Sequence, residues 1–447
     1  MASGHEDHGQ HEHAGHGHYG PRTLPGSLDA PAVVSAWRIR ALVVFAVASV
    51  LSLALMFADP FGKQHMLRGY LMGYVLCFGF AGGGLVLLML QYVSGGKWGL
   101  LLRRPLEAMS RTLPLIAVML IPILVLAKHI YLWAAYPTAD ATEAGIKNKL
   151  LNEAQVHALN YKRPMLSPLS VTLQAVFVFA VLLTFMYLLN KWSVQRDADP
   201  MAGTEASFNK WQVRFENLSG IGILIYVIVM TIGIIDWVMS LDVTWYSSIW
   251  GLKFLVGQGY GVLALSVLTV ILLSKAEPMK TLLRKTEQHD LGKFMFAFVM
   301  LNIYLTFAEF LIMWSGNLPE EIPWYLNRIR GGWWYICTLD FCCHWLVPFC
   351  LLLSRNLKRS RTKMIWLTCF MILARCIDMF WMIEPGFPDA HWNLRLLGNF
   401  SILEYITVPA AVISLWGAYY LTQLMARPLM NTNDPHLEEI LEAEHAH

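Results

Sequence analysis

The sequence predicts an all-α integral membrane protein of about ten transmembrane helices, and three observations carry that prediction. Hydrophobic residues make up 56% of the 447 and charged residues only 15%, with a mean hydropathy of +0.46, far from a soluble globular average. Crossing the hydrocarbon takes about 20 apolar residues per helix. Ten segments qualify: 41–58, 69–93, 113–135, 168–190, 218–239, 247–273, 291–314, 333–354, 363–383 and 401–425. These runs are continuously apolar rather than alternating with period two, which excludes a lipid-facing β-barrel.

Basic residues set the orientation. Arg22, Arg38 and Arg40 precede the first segment, and the loops on the same side carry Lys97, Arg103, Arg104, Arg111, Lys191, Arg196, Lys210 and Arg214. Lys275, Lys280, Arg284, Lys285, Lys293, Arg355, Lys358, Arg359, Arg361, Lys363 and Arg427 complete that side, 22 against 9 on the other. The positive-inside rule makes the richer side, and both termini, cytoplasmic. Trp245, Tyr246, Trp250, Trp324, Tyr325, Trp333 and Trp334 sit at segment ends as interfacial anchors. The net charge of +3 reflects the inner loops and does not imply nucleic-acid binding.

Taken in order, residues 1–37 read as a disordered cytoplasmic tail rich in His (His5, His8, His11, His13, His16, His18). No signal-peptide pattern is read there. Residues 38–425 read as one ten-helix membrane domain, and 426–447 as a short cytoplasmic tail. In the second segment, Gly79 and Gly83 form a small-x-x-x-small face for close packing. Pro114, Pro122, Pro348 and Pro409 predict kinks. The outer connection 136–167 predicts a short surface helix over Ile146 to Tyr161, and the inner loop 191–217 reads as polar and mobile.

Redox cofactors find no ligands. A membrane b-haem needs axial residues, usually His, and only His344 and His129 approach membrane depth. No C-x-x-C-H attaches a c-type haem, and the seven cysteines lack iron–sulfur spacing. The chain is expected to hold no metal and no catalytic residue.

Nine ionisable side chains remain within apolar segments: Lys128, Asp236, Lys253, Glu309, Asp340, His344, Arg375, Asp378 and Glu404. Each costs roughly 2.5–3.5 kcal/mol on insertion scales, which makes each a functional-site candidate. At about 1.5 Å per residue, they run from the midplane (Arg375, His344) to the outside, and the inner half reads as dry. Asp340 and His344 are four apart and predict a hydrogen bond; Arg375 and Asp378 are three apart and predict a pair. Asn302, Thr306 and Glu309 form a polar stripe. Two readings stand: buried ion pairs that hold helices together, or a pathway for protons or a lipid headgroup. A quinone bonded to His344 or Lys253, an independent transporter and a purely structural subunit are further alternatives.

Three long stretches carry a resemblance: QYVSGGKWGLLLRRPLEAMSRTLP (91–114), GIIDWVMSLDVTWYSSIWG (233–251) and FAEFLIMWSGNLPEEIPWYLNR (307–328). The chain resembles the F subunit of bacterial alternative complex III, within the NrfD-like polysulfide-reductase membrane-subunit superfamily, over essentially the whole ten-helix region. That resemblance implies two antiparallel four-helix bundles plus two peripheral helices, in a bacterial inner membrane. It implies partner subunits: a multihaem cytochrome c, an iron–sulfur protein, a paralogous C subunit, and D and E subunits. The haem c and iron–sulfur clusters would belong to those partners, with quinone as a ligand open to this chain. Carried over by position, it makes Asp236 and Glu309 the pathway candidates.

Overall fold

The computed structural model describes residues 24, 26–58, 61–387, 401–434, 437 and 441. His5 to His18, and most of the expected tail beyond Asp434, lie outside the described residues. The described chain is all-α, with ten helices long and apolar enough to cross a membrane. They are α1 (Val33–Ala58), α2 (Gly62–Ser94), α3 (Arg103–Val125), α4 (Pro168–Asp197) and α5 (Glu205–Trp237). The others are α6 (Trp250–Leu273), α7 (Lys285–Gly316), α8 (Trp333–Leu353), α9 (Arg361–Ile383) and α10 (Ser401–Met425).

Helix α2 is the hub. It packs on α3 and α5 within one bundle (α2–α5), on α6 of a second bundle (α6–α9), and on the α1–α10 pair. Past its polar first turns (Lys63 to Arg68) it is apolar all round and buried, as a helix without a polar stripe must be. Its glycines allow the approach: a Cβ on Gly83 would lie 2.8 Å from Val262 Cγ2, and one on Gly84 2.7 Å from Met109 Cβ. The close-packing role read from Gly79 and Gly83 is therefore realised against α6.

Proline shapes α3 and α8. Helix α3 pauses at Arg111–Thr112 before Pro114, and closes at Val125 just after Pro122. It starts ten residues earlier than the expected 113, because the first turns of this helix are polar yet buried. In α8 a π-helical stretch, Phe341–Leu346, lies immediately before Pro348. Proline has no N–H to donate, so a wider turn upstream relieves the ladder. Helix α7 ends at Asn317, whose φ of 45° is left-handed, a conformation Asn tolerates.

Two expected loops are ordered differently. The outer connection holds two helices rather than one, Ala139–Lys147 and Glu153–Lys162, broken at Lys149 with φ 55°. Asn152 and Gln155 form a reciprocal capping box that restarts the second helix. The inner loop 191–217 is mostly helix, because α4 runs to Asp197 and α5 starts at Glu205. Asp199 caps the short turn: its carboxylate accepts from Met201 N (3.1 Å), Trp211 Nε1 (2.6 Å) and Ser207 Oγ (3.1 Å).

Candidate functional site

Two polar clusters lie in the second bundle. The first begins with Lys253, in the opening turn of α6, and Glu309, two turns before α7 ends. Lys253 Nζ donates to Glu309 Oε2 at 2.9 Å, Ser247 Oγ to Oε1 at 2.5 Å, and Tyr325 OH to Oε2 at 3.4 Å. Both charges are buried, Glu309 at 1% exposure. The ammonium also lies 5.4, 5.8 and 6.0 Å from the ring centroids of Trp250, Trp324 and Trp381, within cation–π range. Asn302 and Glu309 are buried and Thr306 half-buried, so the predicted stripe on α7 does face inward.

The second cluster joins α6, α8 and α9. Arg375 and Asp378 form the predicted pair through Nη1 and Oδ2. One ligand atom each from Asp340, His344 and Asp378 lie within 4.8 Å of one another. The predicted Asp340–His344 hydrogen bond is not made: Asp340 Oδ1 and His344 Nε2 are buried without a partner among the described residues. The π-helical stretch begins directly after Asp340 and contains His344, and its wider turn shifts the i, i+4 relation on which that expectation rested. Tyr260 lies tilted against His344 with ring centroids 4.3 Å apart, and its own hydroxyl also has no hydrogen-bond partner among the described residues. This trio could offer a metal one nitrogen and two oxygens, but the Arg375 cation already holds Asp378. Beside Arg375, a gap of about 10 Å³ lies between α2, α6 and α9.

The other candidates sit elsewhere. Asp236, at the end of α5, is 1% exposed, and neither carboxylate oxygen has a hydrogen-bond partner among the described residues. Around its turn, Ser240 Oγ donates to the Asp236 carbonyl (2.5 Å) and Tyr131 OH to the Trp237 carbonyl (2.9 Å). Asp236 thus belongs to the first bundle, apart from Glu309. Glu404, fully buried in α10, lies 3.3 Å from His65 Nδ1. Lys128 is not in a span: it is exposed in a 3₁₀ turn, Ala127–His129, beyond the end of α3.

Several buried groups escaped the sequence reading. Arg68 pairs with Glu384 at 2.9 Å and covers Phe387 at 4.1 Å, close in sequence to His65. Arg328 donates to the carbonyls of Trp324 and Met382 (3.1 and 2.9 Å) and stacks 3.6 Å from the Trp324 ring. Burial there brings its pKa down to about 9. A further buried network lies at the basic end of the helices. Glu107, fully buried, accepts from Arg104 Nη1 (2.7 Å) and Ser193 Oγ (2.6 Å). Asn190 links Ser110 (3.1 Å) to Arg427 (3.0 Å), and Asp434 is held by Arg103. The Arg-Arg-Pro-Leu-Glu run read as loop; the local signal was Glu107 three residues after Arg104, on one helical face.

No protein-family model matches the chain, and no curated protein matches it.

Proposed function

We propose that this chain is the membrane subunit of a quinol:electron-acceptor oxidoreductase of the alternative complex III kind, conducting protons for that complex and scaffolding it. Electrons would pass through the haem and iron–sulfur subunits that the resemblance implies. This chain would contribute a bacterial plasma-membrane proton route and no redox centre.

The observation that carries the reading is the second-bundle cluster. Three carboxylates (Glu309, Asp340, Asp378) face two cations (Lys253, Arg375), and Asp340 Oδ1, His344 Nε2 and Tyr260 OH are buried without partners among the described residues. Each such buried group costs about 1–3 kcal/mol unless it meets water or a proton. A route that passes water or a proton needs those open positions. The test is substitution in the assembled complex. Asp340→Asn, His344→Gln, Asp236→Asn and Glu309→Gln should each slow proton release while assembly persists. Normal proton release and turnover in the assembled variants would sink the proposal.

A quinone at His344 or Lys253 is the second reading, favoured by the unpartnered His344 Nε2. Lys253 is committed to Glu309, and the 10 Å³ gap beside Arg375 matches about one water, not a quinone ring. Photo-labelling of this chain by a quinone analogue, lost in His344→Gln, would reverse that ranking.

A further inference from the structure

We propose that a cavity at the basic end of the molecule, between α2, α4 and α5, binds the phosphate of an anionic phospholipid. The cavity measures about 60 Å³, and its lining includes Gln91, Tyr92, Arg103, Arg196, Trp211 and Phe215. At about 10–15 Å³ per water, it has room for a polyatomic group rather than a single solvent molecule.

Arg196 is the observation that points to a ligand. It is 5% exposed, and its Nε and Nη2 make no hydrogen bond among the described residues. Nη1 reaches Asp434 only at 3.5 Å, and Nε lies 3.8 Å from Asp197. A guanidinium with open donors suits the paired oxygens of a phosphate. Five buried or half-buried arginines of this network (Arg103, Arg104, Arg111, Arg196, Arg427) outnumber its acids Glu107, Asp197 and Asp434. Two acids also line the cavity: Asp434, which is engaged by Arg103, and Glu216, which is half-buried and held by Gln212 at 2.8 Å.

Location selects a lipid over a soluble anion. Charge bias assigns this end to the cytoplasmic leaflet, whose anionic headgroups are drawn to basic pockets between helices. Val93 and Val213, each next to a lining residue in sequence, are exposed at 46% and 55%. They offer an apolar surface to acyl chains beside a polar cavity.

The experiment is native mass spectrometry of the purified full-length protein with added phosphatidylglycerol, phosphatidylcholine or inorganic phosphate. Phosphatidylglycerol should be retained selectively, and Arg196→Gln should lower its retention about tenfold, the loss of a charge-assisted hydrogen bond. Two rim variants leave the buried network intact and should move in opposite directions: Gln212→Glu weakens retention and Glu216→Gln strengthens it. Equal retention of the two lipids, or retention indifferent to all three variants, would overturn the proposal. Displacement of phosphatidylglycerol by millimolar inorganic phosphate would also overturn it, by assigning the site to a soluble anion.

Discussion

At the scale of residues, a buried charge is judged by what remains when its partner goes. Glu309→Ala strands the Lys253 ammonium among three tryptophans and should cost about 3–5 kcal/mol. Lys253→Met with Glu309→Leu removes both charges and should recover most of that loss. Thermal unfolding of the two variants checks the pair, and proton release in the double variant separates stability from conduction: restored fold with lost release is the expected outcome. Asp199 lies outside the membrane spans. The Met201 backbone N–H, then the Trp211 indole, hold its pKa down to about 2 against an ordinary 3.8. A lowered carboxylate pKa stabilises the fold above the unfolded value and loses that contribution as pH falls through the folded one. Asp199→Asn should therefore lower stability at pH 5 and make no difference below pH about 2, read by amide exchange of Met201. Neither the caged Lys253 nor the orphaned His344 can be told from its neighbours by residue type; partners come from distant helices.

At the scale of elements, glycine and proline decide geometry. A methyl at Gly84 would meet the Met109 side chain at 2.7 Å and the Leu106 carbonyl at 3.3 Å, so Gly84→Ala should destabilise by about 1–3 kcal/mol through overpacking. Gly257 differs: its Cβ would meet the tip of Arg375, with Nη1 and Nη2 both at 2.7 Å. That tip can swing away, so Gly257→Ala should keep the fold but disturb the Arg375–Asp378 pair, seen as slowed proton release without a fall in melting temperature. The ten apolar helices and the Gly79–Gly83 face were legible because hydropathy and small-residue spacing are local. The π-helical stretch in α8 was not, because only the ladder upstream of Pro348 reveals it. The same holds for α3, whose charged first turns look like loop until their partners on α4 and beyond α10 are in place.

At the scale of the whole molecule, two bundles share α2 as their common wall, and the chain after α10 ties the basic end together. Asn433 accepts from Gly203 N (3.1 Å) and donates to the Arg196 carbonyl (2.9 Å), while Asp434 holds Arg103. Asp434→Ala leaves two buried arginines short of an acid and should cost about 3–5 kcal/mol, measured as a lower melting temperature and greater protease sensitivity at the α4–α5 turn. The sequence by itself determined the class, the number of spans and most of the ionisable positions, because lipid penalises charge and rewards apolar length residue by residue. Tertiary structure alone decided which charges are partnered. It sorted them into a caged pair, an unsatisfied cluster, an isolated Asp236 and an inner network, because pairing depends on which helix faces touch, and contacts between residues hundreds of positions apart leave no local periodicity to read.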